Sequence, residues 1–69
     1  MKKTFKCETD YIELCQLLKL LVPLKSGGEA KIAIKSGLVT VDGQIELRKK
    51  CKIKPGQTVV YDELEIDIV

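Results

Sequence analysis

Two clusters in this 69-residue sequence have residue types and spacing suited to holding a polyanion. The first is Lys25-Ser26-Gly27-Gly28-Glu29-Ala30-Lys31, with Lys35 four residues further on. Ser followed three residues later by Glu is the capping-box signature of a helix start. The first turn of a helix offers unpaired backbone N–H groups and the positive end of the dipole, which suit a phosphate. Gly27 and Gly28 are poor helix formers, but they leave that end sterically open. Lys31 and Lys35 share one helix face, and Lys25 stands just ahead of them. Glu29 opposes the idea by placing a negative charge in the first turn, unless it turns back to cap its own backbone. The second cluster is Arg48-Lys49-Lys50-Cys51-Lys52-Ile53-Lys54, in which five of seven residues are basic. Such a cluster positions a nucleic acid through its phosphates without reading its sequence.

Other chemistries find little support. The sequence has no His, which removes the commonest general base and metal ligand. Cys7, Cys15 and Cys51 are far apart, form no Cys-x-x-Cys and fall short of a closed zinc site. They read as reduced cysteines. Cys51, amid five cations, is expected to have a lowered thiol pKa, but no resolving partner lies beside it. There is no nucleophile elbow and no NTPase-type phosphate loop. A chain of this length buries only about 60% of its unfolded surface, which leaves no room for a large substrate chamber. We therefore expect no enzyme, no cofactor and no metal.

Net charge is only +2. Its distribution is more telling. From Lys25 to Lys54, eight basic residues face three acidic ones, a balance of +5, and the remainder of the chain carries −3. Residues 55–69 hold four acids and no base. That polarity suggests a polyanion against one face. No stretch approaches the ~20 apolar residues of a membrane span. The basic N-terminus has no apolar run behind it, so no signal peptide is expected.

The elements that must position these clusters follow from periodicity. Asp10-Tyr11-Ile12-Glu13 has the capping-box form, and Tyr11, Leu14, Cys15, Leu18, Leu21 and Val22 make an apolar stripe. Ile12, Leu17 and Leu20 lie off it, so burial on more than one side is expected. Pro23 should stop this first helix near Leu21. The second helix begins at Ser26, offers Ala30, Ala33 and Ile34 for close packing, and ends at Gly37 in a left-handed cap. From Leu38 the period becomes two. Strands are expected over 38–41, 44–47, 58–61 and 64–68, and one at the N-terminus over 4–7. Asp42-Gly43 is the favoured two-residue hairpin turn. Residues 54–57 and 62–63 are further turns, and Ile53 is a core anchor. Phe5, Tyr11 and Tyr61 are few and lie outside the basic run, so core packing is expected of them rather than base stacking. The fold class is α+β in a single domain over 1–69.

The order of these pieces resembles the S-four RNA-binding domain, or αL motif. Its pattern is an apolar helix, a Ser opening a second helix with Ala four residues on, a helix-ending Gly, then Val-x-Val and an Asn- or Asp-Gly turn. Ser26, Ala30, Gly37, Val39, Val41, Asp42 and Gly43 occupy those places, and 53–59 is similar to the family's closing strand. The resemblance covers about Ile12 to Val60. It implies two helices packed on a small, curved antiparallel sheet, with the 48–54 segment near the start of the second helix so that both clusters form one surface. The family commonly has Arg directly after the Ser, where this sequence has Gly27. Ser-Gly-Gly-x-Ala-Lys looks like a subgroup of small, stand-alone, ribosome-associated bacterial members, which implies structured RNA, ribosomal RNA in particular, and a cytoplasmic setting. The expectation is a non-catalytic RNA-binding protein, a monomer, gripping RNA through Lys25, Ser26, Gly27, Gly28, Lys31, Lys35, Arg48, Lys49, Lys50, Lys52 and Lys54. The alternative is a protein-interaction adaptor that does not touch RNA, suggested by the acids at 62–67.

Overall fold

The computed structural model describes residues 1–22 and 27–69. Strand β1 (Lys2–Phe5) and the short β2 (Ile12–Glu13) precede helix α1 (Leu14–Leu21) and helix α2 (Gly27–Lys35). Then come β3 (Val39–Val41), β4 (Gln44–Ile45), β5 (Lys52–Ile53), β6 (Thr58–Tyr61) and β7 (Leu64–Ile68). Five strands form one sheet in the order β1-β7-β6-β3-β4, and β2 pairs with β5 in a second, two-stranded sheet. The α+β class and the two helices are as expected. The main sheet is mixed, because β1 runs parallel to β7 in the register Lys2↔Glu65 to Phe5↔Ile68. The N-terminal strand also begins two residues earlier than the sequence suggested.

The core lies between the helices and the main sheet. Leu14, Leu17 and Leu18 of α1 and Ile34 of α2 meet Val39, Val59 and Ile66 of the sheet, all of them buried. Ala30 and Ala33 are buried too, so the small-residue face of α2 packs on α1 as its composition implied. Ile53 is fully buried, the anchor expected. Leu17 joins the core, whereas Leu20 stays 65% exposed.

Local signals set most boundaries. At the end of α2, the Leu38 N–H donates to the Ala33 carbonyl at 3.1 Å, and the Gly37 N–H to that of Ile34 at 3.1 Å. With Gly37 at φ +78° this is a Schellman cap. In the β3–β4 turn both Asp42 (φ 52°) and Gly43 (φ 85°) take positive φ, which matches the twist of a two-residue hairpin. The returning strand stops at Ile45, two residues short of expectation; just beyond it the Glu46 carboxylate accepts the backbone and side-chain N–H groups of Arg48.

The start of α1 departs from the reading of its sequence. Asp10 does not cap it. The N-cap position is Glu13, in extended conformation and without a side-chain cap bond. Instead the Leu14 N–H donates to the Cys51 carbonyl at 2.9 Å and the Cys15 N–H to the Lys49 carbonyl at 3.0 Å. Backbone from a distant segment satisfies the orphan donors, so no side-chain cap is needed. Tyr11 and Ile12 thereby leave the helix, and Ile12 pairs with Ile53 instead.

Candidate nucleic-acid interface

The docking of the 48–54 backbone on α1 determines where its side chains go. Its carbonyls point at the helix N-terminus, and its basic side chains are exposed. Arg48, Lys49, Lys50, Cys51, Lys52 and Lys54 together line one open depression. The far end of this segment is also fixed. The Lys54 N–H donates to Gln57 Oε1 at 2.7 Å, and Gln57 Nε2 donates to an Asp42 carboxylate oxygen at 3.3 Å. Asp42 further accepts the Thr58 N–H at 2.9 Å. The acid of the hairpin turn and the amide of the 54–57 turn therefore brace each other and hold the edge of the depression.

The five cations are not equivalent. Arg48 donates to both carboxylate oxygens of Glu46, each at 3.1 Å, and its backbone N–H donates to the same group at 3.0 Å. The Arg48 side-chain hydrogen bond chiefly holds the Glu46 carboxyl at about 2, well below the usual carboxylate range. Arg48 in turn is pushed further above its ordinary value by Glu46. The guanidinium charge is largely neutralised within the protein. Among the described residues, Lys49, Lys50, Lys52 and Lys54 have no ion-pair partner. Cys51 also corrects the sequence reading. Burial first, then Glu46, pushes its thiol up rather than down, which argues against a reactive thiolate.

Lys25 and Ser26, expected in the site, lie outside the described residues. Gly27 and Gly28 open α2, and Lys31 and Lys35 are exposed on it. These two lysines do not line the depression formed by 48–54. Sequence reasoning missed Tyr11. It is 39% exposed rather than packed in the core, and Lys52 Nζ sits 5.0 Å from its ring centroid. Phe5 and Tyr61 do pack against the core. Glu46 was also missed, though Glu-x-Arg at 46–48 was available as a signal. On the acidic side, Lys2 pairs with Glu65 at 3.4 Å and Asp67 at 3.9 Å, so part of that surface is neutralised internally. Among the described residues there is no cluster of metal-ligating side chains and no helix long and apolar enough to cross a membrane.

Two helices on a small mixed sheet, with a braced basic segment docked at the start of the first helix, define a small α+β domain of the αL type. Residues 5–69 match the S4 domain family, the S-four domain of the sequence reading, and the chain belongs to it. It is 51% identical over 59 residues to YbcJ of Escherichia coli (strain K12), provisionally named an RNA-binding protein, covering 86% of this chain and 84% of that one. The YbcJ of Shigella flexneri, described as uncharacterized, matches to the same extent, 51% over 59 residues. The solution structure of Escherichia coli YbcJ superposes with a TM-score of 0.71 at 48% identity, covering 96% of this chain and 85% of that one. That structure is described as revealing an αL motif involved in RNA binding.

Proposed function

We propose that this protein is a non-catalytic RNA-binding domain, acting in the cytoplasm as a single unit over residues 1–69. It grips structured RNA through the lysines of the 48–54 segment, with the exposed lysines of α2 adding to the same field. The observation that carries this reading is the depression lined by four lysines that have no ion-pair partner among the described residues, built on an S4-family fold. Family membership and the RNA-binding description of the YbcJ structure support RNA as the polyanion. The Gly27 position has no side chain to offer a phosphate, so the weight falls on Lys49, Lys50, Lys52 and Lys54. Ribosomal RNA is the structured RNA that the family resemblance implies, and it is the first ligand to test.

The test compares binding of a folded ribosomal RNA fragment with binding of duplex DNA of equal length. The four-lysine variant (Lys49, Lys50, Lys52 and Lys54 all to Ala) is measured alongside. Preference for the RNA, lost in the variant, supports the reading. Equal affinity for both nucleic acids removes the claim of RNA preference, and unchanged affinity in the variant removes the site.

A further inference from the structure

The two-stranded sheet carries a feature that phosphate gripping does not use. In its register Ile12 faces Ile53 and Glu13 faces Lys52, and continuing it by one residue sets Tyr11 opposite Lys54. Alternate residues of a strand point to opposite faces. Ile53 is fully buried and Ile12 packs against the core, so Tyr11, Glu13, Lys52 and Lys54 share the outer face. Glu13 stands across from Lys52, yet the two form no ion pair; the ammonium lies over the Tyr11 ring instead, 5.0 Å from its centroid.

The backbone that carries the ring is tied down. Thr9 Oγ1 donates to the Tyr11 carbonyl at 2.7 Å, and Cys7 Sγ donates to the Thr9 carbonyl at 3.2 Å. Tyr11 also borders a second open hollow, walled by the 5–13 segment and Gln16. Lys52, which lies over the ring, lines the lysine-rich depression, so Tyr11 is joined to that depression through Lys52. An exposed aromatic at the rim of a cationic track is the arrangement by which proteins stack an unpaired base while lysines take the backbone.

Building on the RNA-binding reading above, we propose that Tyr11 is a stacking platform for an unpaired RNA base, with Lys52 and Lys54 taking the phosphates that flank it. The domain then discriminates looped RNA from fully paired RNA. The 48–54 lysines supply the electrostatic grip common to both, and Tyr11 adds a contact only an unstacked base can make.

The test uses the full chain, its Tyr11→Ala and Tyr11→Phe variants, and two RNAs of equal length, a hairpin with an unpaired loop and a blunt duplex. Stacking of one base on an aromatic corresponds to roughly a 5- to 150-fold change in affinity. Tyr11→Ala should lose about tenfold or more on the hairpin and less than about twofold on the duplex, and Tyr11→Phe should keep the preference. A second readout is available because the chain has two Tyr and no Trp. In a Tyr61→Phe background, Tyr11 emission should be quenched by the hairpin and not by the duplex. Equal losses on both RNAs, or no loss on either, overturns the stacking role while leaving RNA binding intact. If the unaltered chain binds neither RNA, the RNA-binding reading fails and this inference falls with it.

Discussion

At Arg48 the guanidinium is already committed to Glu46, so the residue acts mainly on the shape of the site and little on its charge. The pair has a pH signature. The Glu46 carboxyl sits at about 2 in the folded protein against an ordinary 4.5, chiefly through the Arg48 hydrogen bond. A depressed folded pKa means that folding favours the charged form. Its contribution is fully present above about 4.5 and is lost as pH falls toward 2. Because the Arg48 side chain is 79% exposed, solvent screening keeps the effect modest. Urea unfolding of the unaltered protein and of Glu46→Gln should give stability curves that differ at pH 7 and converge between pH 5 and 2. Curves that keep a constant offset across that window would show that the Glu46 charge contributes no stability.

Among the elements, the end of α2 and the turn at Asp42-Gly43 were legible because a single residue type answers a single backbone demand. Gly37 at φ +78° is the clearest case. A Cβ there would meet Ile45 and Leu47 side chains at ordinary contact distances of 3.6 and 3.9 Å, so the penalty for Gly37→Ala is conformational and not steric. Left-handed backbone costs a non-glycine residue about 1–2 kcal/mol, and Gly37→Ala should lower the unfolding free energy by that amount in urea. A change below about 0.5 kcal/mol would mean that the cap relaxes. Leu64–Ile68 was equally legible through strict alternation. What escaped reading depended on partners remote in sequence. Strands of two residues, β2 and β5, have no period to detect. Asp10-Tyr11-Ile12-Glu13 satisfied a capping rule, but the carbonyls of Lys49 and Cys51 won the helix donors. The same pairing moved Tyr11 from an expected core position to an exposed one under the Lys52 ammonium, which no local signal at Tyr11 could announce. The parallel β1–β7 pair is likewise a long-range choice, helped by the Met1 ammonium donating to the Glu63 carbonyl at 2.8 Å.

For the whole molecule, charge placement matters more than the net +2. The acidic strand β7 spends Glu65 and Asp67 on Lys2, and Glu46 neutralises Arg48, while four lysines of the 48–54 segment remain without ion-pair partners among the described residues. With that asymmetry, RNA binding by this face is a matter of phosphates neutralised, which salt reads out directly. The decisive measurement is affinity for a structured RNA as a function of salt concentration. Each phosphate neutralised contributes roughly −0.7 to −0.9 to the log–log slope. A clearly negative slope is expected, flattening by roughly 1.5 in the Lys49→Ala, Lys50→Ala double variant and little changed in Arg48→Ala. A flat response in the unaltered protein, or a slope indifferent to the loss of both lysines, would contradict it.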